Sequence, residues 1–93
     1  MARVTKRLKI FGRVQGVGYR AWMVQTATEM DLTGWVRNRE DSSVEAVVTG
    51  DDEAVRKLIA SCYDGPKASK VETISVSEGL DELLTRFEQR ENA

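Results

Sequence analysis

Residues 12–20 read Gly-Arg-Val-Gln-Gly-Val-Gly-Tyr-Arg, and the periodicity of the chain changes across them. Before the glycines, Leu8, Ile10 and Val14 alternate with Arg7, Lys9 and Arg13, the period of a strand over Val4 to Val14. After them, Tyr19, Met23, Ala27 and Met30 recur at helical spacing. Joining a strand to a helix within Gln15–Gly18 requires a tight turn, and Gly16 and Gly18 give the backbone access to positive φ.

The rest of the pattern supplies the remaining elements. Thr33 to Arg39 is a strand; Asp41-Ser42-Ser43 is a polar turn; Val44 to Thr49 returns as its hairpin partner. The acids Asp51, Asp52 and Glu53 open a second helix, whose stripe is Val55, Leu58, Ile59 and Cys62. Asp64-Gly65-Pro66 ends it, and Val71 to Val76 alternates as a fourth strand. The order β-α-β-β-α-β is the ferredoxin-like α+β plan, an antiparallel sheet with two helices on one face, in a single domain over 1–93. In the tail, Leu80, Leu83, Leu84 and Phe87 have helical spacing, whereas Thr85 to Glu88 also alternates as an edge strand; spacing alone slightly favours helix.

That plan brings two segments together. The Gln15–Tyr19 turn and the Arg37–Asn38 end of the second strand fall on one sheet edge, separated by a single strand, or about 10 Å. Successive N–H groups of the turn can form a nest ahead of the helix N-terminus. Arg20 sits at that helix start, where the dipole disfavours a cation unless an anion is held there. Its planar guanidinium suits a phosphate. A plain tight turn with a solvated arginine is the alternative.

Composition narrows the chemistry. The 93 residues contain no histidine and one cysteine. Triads, phosphohistidine, histidine-ligated zinc and an internal disulfide are therefore excluded. No Walker A ending follows the glycines, and the position six after Cys62 is Ala68, so a cysteine phosphatase loop is excluded too. A net charge of −1 gives no general attraction to nucleic acid or anionic membrane. No secretory h-region or spanning segment is present, and a cytoplasmic location is expected.

The 12–20 motif resembles the signature loop of the acylphosphatases. A second motif follows in the expected order, Leu32-Thr33-Gly34-Trp35-Val36-Arg37-Asn38 with Val44-Glu45, and Gly65-Pro66, Ala68 and Val71-Glu72 resemble the family's later pattern. The resemblance implies hydrolysis of the carboxyl–phosphate anhydride of an acyl phosphate, without metal or cofactor. It implies that Arg20 binds the phosphate, that Asn38 positions the attacking water, and that the N–H groups of Gln15, Gly16, Val17, Gly18 and Tyr19 complete the cradle. It also implies a fifth strand, which moves the expectation for Thr85–Gln89 from helix to strand. Asp31 and Ser42 stand where the family often has glycine, which concerns turn stability more than chemistry.

A small-molecule acyl phosphate is thus the expected partner of a monomer, with no nucleic acid and no membrane. The rival class is a non-catalytic anion- or RNA-binding module on the same fold, suggested by Arg3, Lys6, Arg7, Lys9 and Arg13. The paired stacking aromatics of such modules are lacking on the first and third strands. A third reading, a detached domain of a larger carbamoyl-transfer enzyme, is disfavoured by the absence of zinc-type cysteine motifs and by the chain's length. Trp22 and Trp35 are expected to pack, and the Asp51–Glu53 acids to serve the helix start rather than a metal.

Overall fold

The computed structural model describes residues 2–93. The elements are β1 (Arg3–Arg13), α1 (Tyr19–Glu29), β2 (Thr33–Asn38), β3 (Val44–Asp51), α2 (Asp52–Cys62), β4 (Lys70–Glu78) and β5 (Phe87–Gln89). They follow the expected order, and the sheet runs β4-β1-β3-β2-β5. The four long strands pair antiparallel, as expected, but β5 joins β2 in parallel, so the sheet is mixed. The route of the chain explains this. Because β4 runs against β2, a chain that leaves β4 and crosses to the far edge returns in the direction of β2.

One side of the sheet holds the core. Leu8, Ile10, Val36, Val44, Ala46, Val48 and Ile74 meet Tyr19, Met23 and Ala27 of α1 and Val55, Leu58 and Cys62 of α2. Each of the Val, Leu, Ile and Met side chains among them contributes about 1.5–3 kcal/mol when fully buried. These are the faces the periodicities predict, with Ile59 and Met30 packed at the margin. Among the described residues, no helix is long and apolar enough to cross a membrane.

Residues 80–84 form neither helix nor strand. Leu80 and Leu83 are each 77% exposed, so their helical spacing marks no buried face. Polar contacts hold this crossing segment instead: Arg3 donates to Asp81, Trp35 Nε1 donates to Glu82 at 2.8 Å, and Arg90 pairs with Glu82. Both positions flagged for missing glycines do adopt left-handed backbone, Asp31 at φ 58° and Ser42 at φ 71°. The fold accepts a non-glycine residue there at a cost of about 1–2 kcal/mol each.

On the outer face, Glu45 is nearly covered and gathers Arg7, Arg37 and Arg39. Burial opposes its ionisation, but the three guanidinium hydrogen bonds outweigh that and hold its carboxyl below the usual range. The basic residues of β1 are largely engaged: Arg3 with Asp81, Lys6 with Glu78, Arg7 with Glu45 and Lys9 with Asp41. These cations are paired with carboxylates on both faces of the strand and do not form an open cationic surface.

Candidate active site

Ile10 of β1 and Asn38 of β2 both pair with Val44 of β3. Asn38, the last residue of β2, is therefore level with Ile10 across one strand, and β1 continues to Arg13 before the loop. From β1 the chain passes through Gln15–Gly18 and enters α1 at Tyr19. Gly16 (φ 73°) and Gly18 (φ 81°) are left-handed, and a Cβ at either would face open space. Conformation rather than crowding calls for glycine here.

The loop leaves its donors free. Among the described residues, none of the N–H groups of Gln15, Gly16, Val17 and Gly18 donates to a backbone carbonyl or a side chain. Gly18 is the N-cap of α1, with no side-chain cap, and the helix's first turn has no acidic residue. Unpaired N–H groups at the positive end of a helix form a region of positive potential that an anion can complete.

Arg20 lies in that first turn, and its Nη1 donates to Asn92 Oδ1 at 3.2 Å. The same tail contacts the other side of the site, where the Ala93 N–H donates to the Asn38 carbonyl at 2.9 Å. Asn38 itself is 8% exposed, and its Oδ1 is buried with no hydrogen-bond partner among the described residues. Leaving such an oxygen unsatisfied costs about 1–3 kcal/mol. A donor arriving from a ligand or a water molecule would relieve that cost.

Tyr19 enters through its backbone alone. Its ring is buried, its hydroxyl donates to the Cys62 carbonyl at 2.6 Å, and it stacks obliquely on Trp22 with centroids 5.3 Å apart. This contact locks α1 onto α2 behind the loop. Burial pushes the Cys62 thiol up to about 12, so it is no nucleophile near neutral pH. The structure thus brings the 15–19 loop, Arg20 and Asn38 to one edge. Sequence reasoning missed Asn92, because nothing local marks a residue 72 positions from its partner.

The family model described as Acylphosphatase matches residues 6–89. The chain belongs to the acylphosphatase family. It is 53% identical to an acylphosphatase of Rhodopseudomonas palustris over 84 residues, covering 90% of this chain and 85% of that one. Its fold matches the crystal structure of acylphosphatase from Bacillus subtilis with a TM-score of 0.90 and 36% identity, covering 94% and 98% of the two chains. The same fold also occurs inside a larger protein. Full-length HypF matches with a TM-score of 0.89 and 26% identity, covering 98% of this chain but 12% of that one. The acylphosphatase likeness thus extends through both motifs and through β5.

Proposed function

We propose that this acylphosphatase-family chain hydrolyses acyl phosphates, R–CO–O–PO₃²⁻, to carboxylate and phosphate, with Arg20 and the loop amides holding phosphate and Asn38 holding water. The observation that carries these roles is the buried Oδ1 of Asn38, without a partner among the described residues, on the strand whose next residue, Arg39, accepts a hydrogen bond from Gln15 of a loop with unpaired N–H groups. That oxygen accepts one hydrogen of a water molecule and turns the water's lone pair toward phosphorus. Arg20 and the loop N–H groups of Gln15, Gly16, Val17, Gly18 and Tyr19 offset the charge on the phosphoryl oxygens.

The reaction needs little else. As the water oxygen bonds to phosphorus, the bridging P–O bond breaks and its electron pair leaves on the carboxylate. A carboxylic acid has a pKa near ~4, so the leaving group departs unprotonated at neutral pH. The water's proton passes to a phosphoryl oxygen of the substrate, giving RCOO⁻ and H₂PO₄⁻. Catalysis is then positioning and charge stabilisation, within reach of arginine, asparagine and backbone. In this reading the enzyme uses no metal or organic cofactor and works as a cytoplasmic monomer, with no nucleic-acid partner.

The test is hydrolysis of benzoyl phosphate by the wild type, Arg20→Ala and Asn38→Ala, with a chelator present. Arg20→Ala is expected to lose phosphate affinity and turnover together. Asn38→Ala is expected to lose mainly turnover, by ~10²–10³-fold, the scale of one preorganised polar contact. Equal rates for wild type and Arg20→Ala would overturn the residue roles, and loss of wild-type activity on chelation would overturn the metal-free mechanism.

A further inference from the structure

The side chain of Gln15 leaves the loop and crosses to the β2–β3 hairpin. Its Nε2 donates twice, to the carbonyls of Arg39 and Ser43, each at 2.9 Å. These carbonyls belong to the pair that closes the hairpin. Arg39 N donates to Ser43 O at 2.9 Å, and Ser42 N donates to Arg39 O at 3.2 Å. Asp41 Oδ1 holds Ser43 from inside the turn, accepting from its backbone N–H and its hydroxyl. A side chain of the anion loop is thus pinned to a rigid turn, at the residue directly after Asn38.

We propose that Gln15 is a positioning residue, whose carboxamide sets the separation between the phosphate loop and the Asn38 amide. The proposal rests on the reading that the loop holds phosphate and Asn38 holds water. Few side chains could replace it. Asparagine is one methylene shorter, glutamate carries no donor when ionised, and leucine fills similar space without any donor. In-line attack requires reacting atoms about 3–3.5 Å apart, and a displacement of about 1 Å costs ~10²-fold in rate. The loop and β2 are joined in sequence only through the whole of α1, so a direct tie between them governs that distance more tightly than the chain connection does.

A residue that acts through another loses its effect when the other is gone, which a double-mutant cycle measures. Benzoyl phosphate hydrolysis would be compared for wild type, Gln15→Leu, Asn38→Ala and the double variant. Gln15→Leu is expected to lower kcat by ~10–100-fold with KM within ~3-fold. In the Asn38→Ala background it is expected to lower kcat by less than ~2-fold. An unchanged kcat, or the same loss in both backgrounds, would overturn the proposal.

Gln15→Glu provides a readout independent of how well the leucine variant folds. Its ionised carboxylate faces two carbonyls and cannot donate, whereas its protonated form restores one hydrogen bond. Its kcat relative to wild type should therefore rise as pH falls from about 7 toward 5, while a flat ratio would overturn the proposal. The underlying reading fails separately. If Asn38→Ala retains full turnover, both fall; if Asn38→Ala collapses while both Gln15 variants turn over normally, only the Gln15 proposal falls.

Discussion

Arg20 and Asn92 meet at 3.2 Å, Nη1 donating to Oδ1, so a neutral amide steadies the guanidinium without cancelling its charge. A carboxylate in that position would compete with the incoming phosphate for Arg20. An amide orients the fork and leaves its electrostatic attraction intact.

Two substitutions separate these effects. Asn92→Ala releases the guanidinium and should raise the inhibition constant of inorganic phosphate by about 3–10-fold, with kcat little changed, as expected for one partly exposed hydrogen bond to a charged group. Asn92→Asp should raise it further, because the new charge pairs with Arg20. Phosphate inhibition measured for both variants checks the order; tighter inhibition with Asn92→Asp would refute it.

Glu45 gives a pH signature in stability. Its folded-state pKa lies below the ordinary value, so the unfolded chain binds more protons in the window between the two. Its contribution is complete above the ordinary carboxyl pKa of about 4.3 and is lost as pH falls through the lower, folded value. Glu45→Gln should cost about 1–3 kcal/mol at pH 7, since the three arginines are partly exposed and can rehydrate. Urea unfolding across pH 2–8 should show a constant gap above about pH 5 that narrows in acid. A gap independent of pH would exclude the ion-pair explanation.

The hairpin offers a stabilising change. Ser42 sits at φ 71°. Ser42→Gly removes the left-handed penalty but adds freedom to the unfolded chain, for a net gain of up to about 1 kcal/mol. Thermal denaturation should show a higher Tm, with acyl-phosphate turnover retained because the closing bonds at Arg39 and Ser43 are backbone-mediated.

Much of this architecture could be read from the chain because its signals are local. Gly16 and Gly18 mark the βα turn and the Tyr19-Met23-Ala27 stripe marks α1, whereas Asp31 and Ser42 stood out only through the resemblance to the acylphosphatases, which often have glycine there. The tail was not legible in this way. Leu80 and Leu83 mimic a helical stripe, but their segment is held by Asp81 and Glu82 reaching Arg3, Trp35 and Arg90 across the sheet. The Gln15, Glu45 and Asn92 contacts were equally hidden. Each joins residues on different elements, and no periodicity encodes such partners.

The central claim, that water held by Asn38 attacks phosphorus in a phosphate held by Arg20, fixes which bond breaks. The direct measurement is hydrolysis of benzoyl phosphate in ¹⁸O-labelled water, with mass analysis of both products. The account predicts the label in phosphate and none in benzoate. Label in benzoate would mean cleavage at the carbonyl carbon and would contradict it.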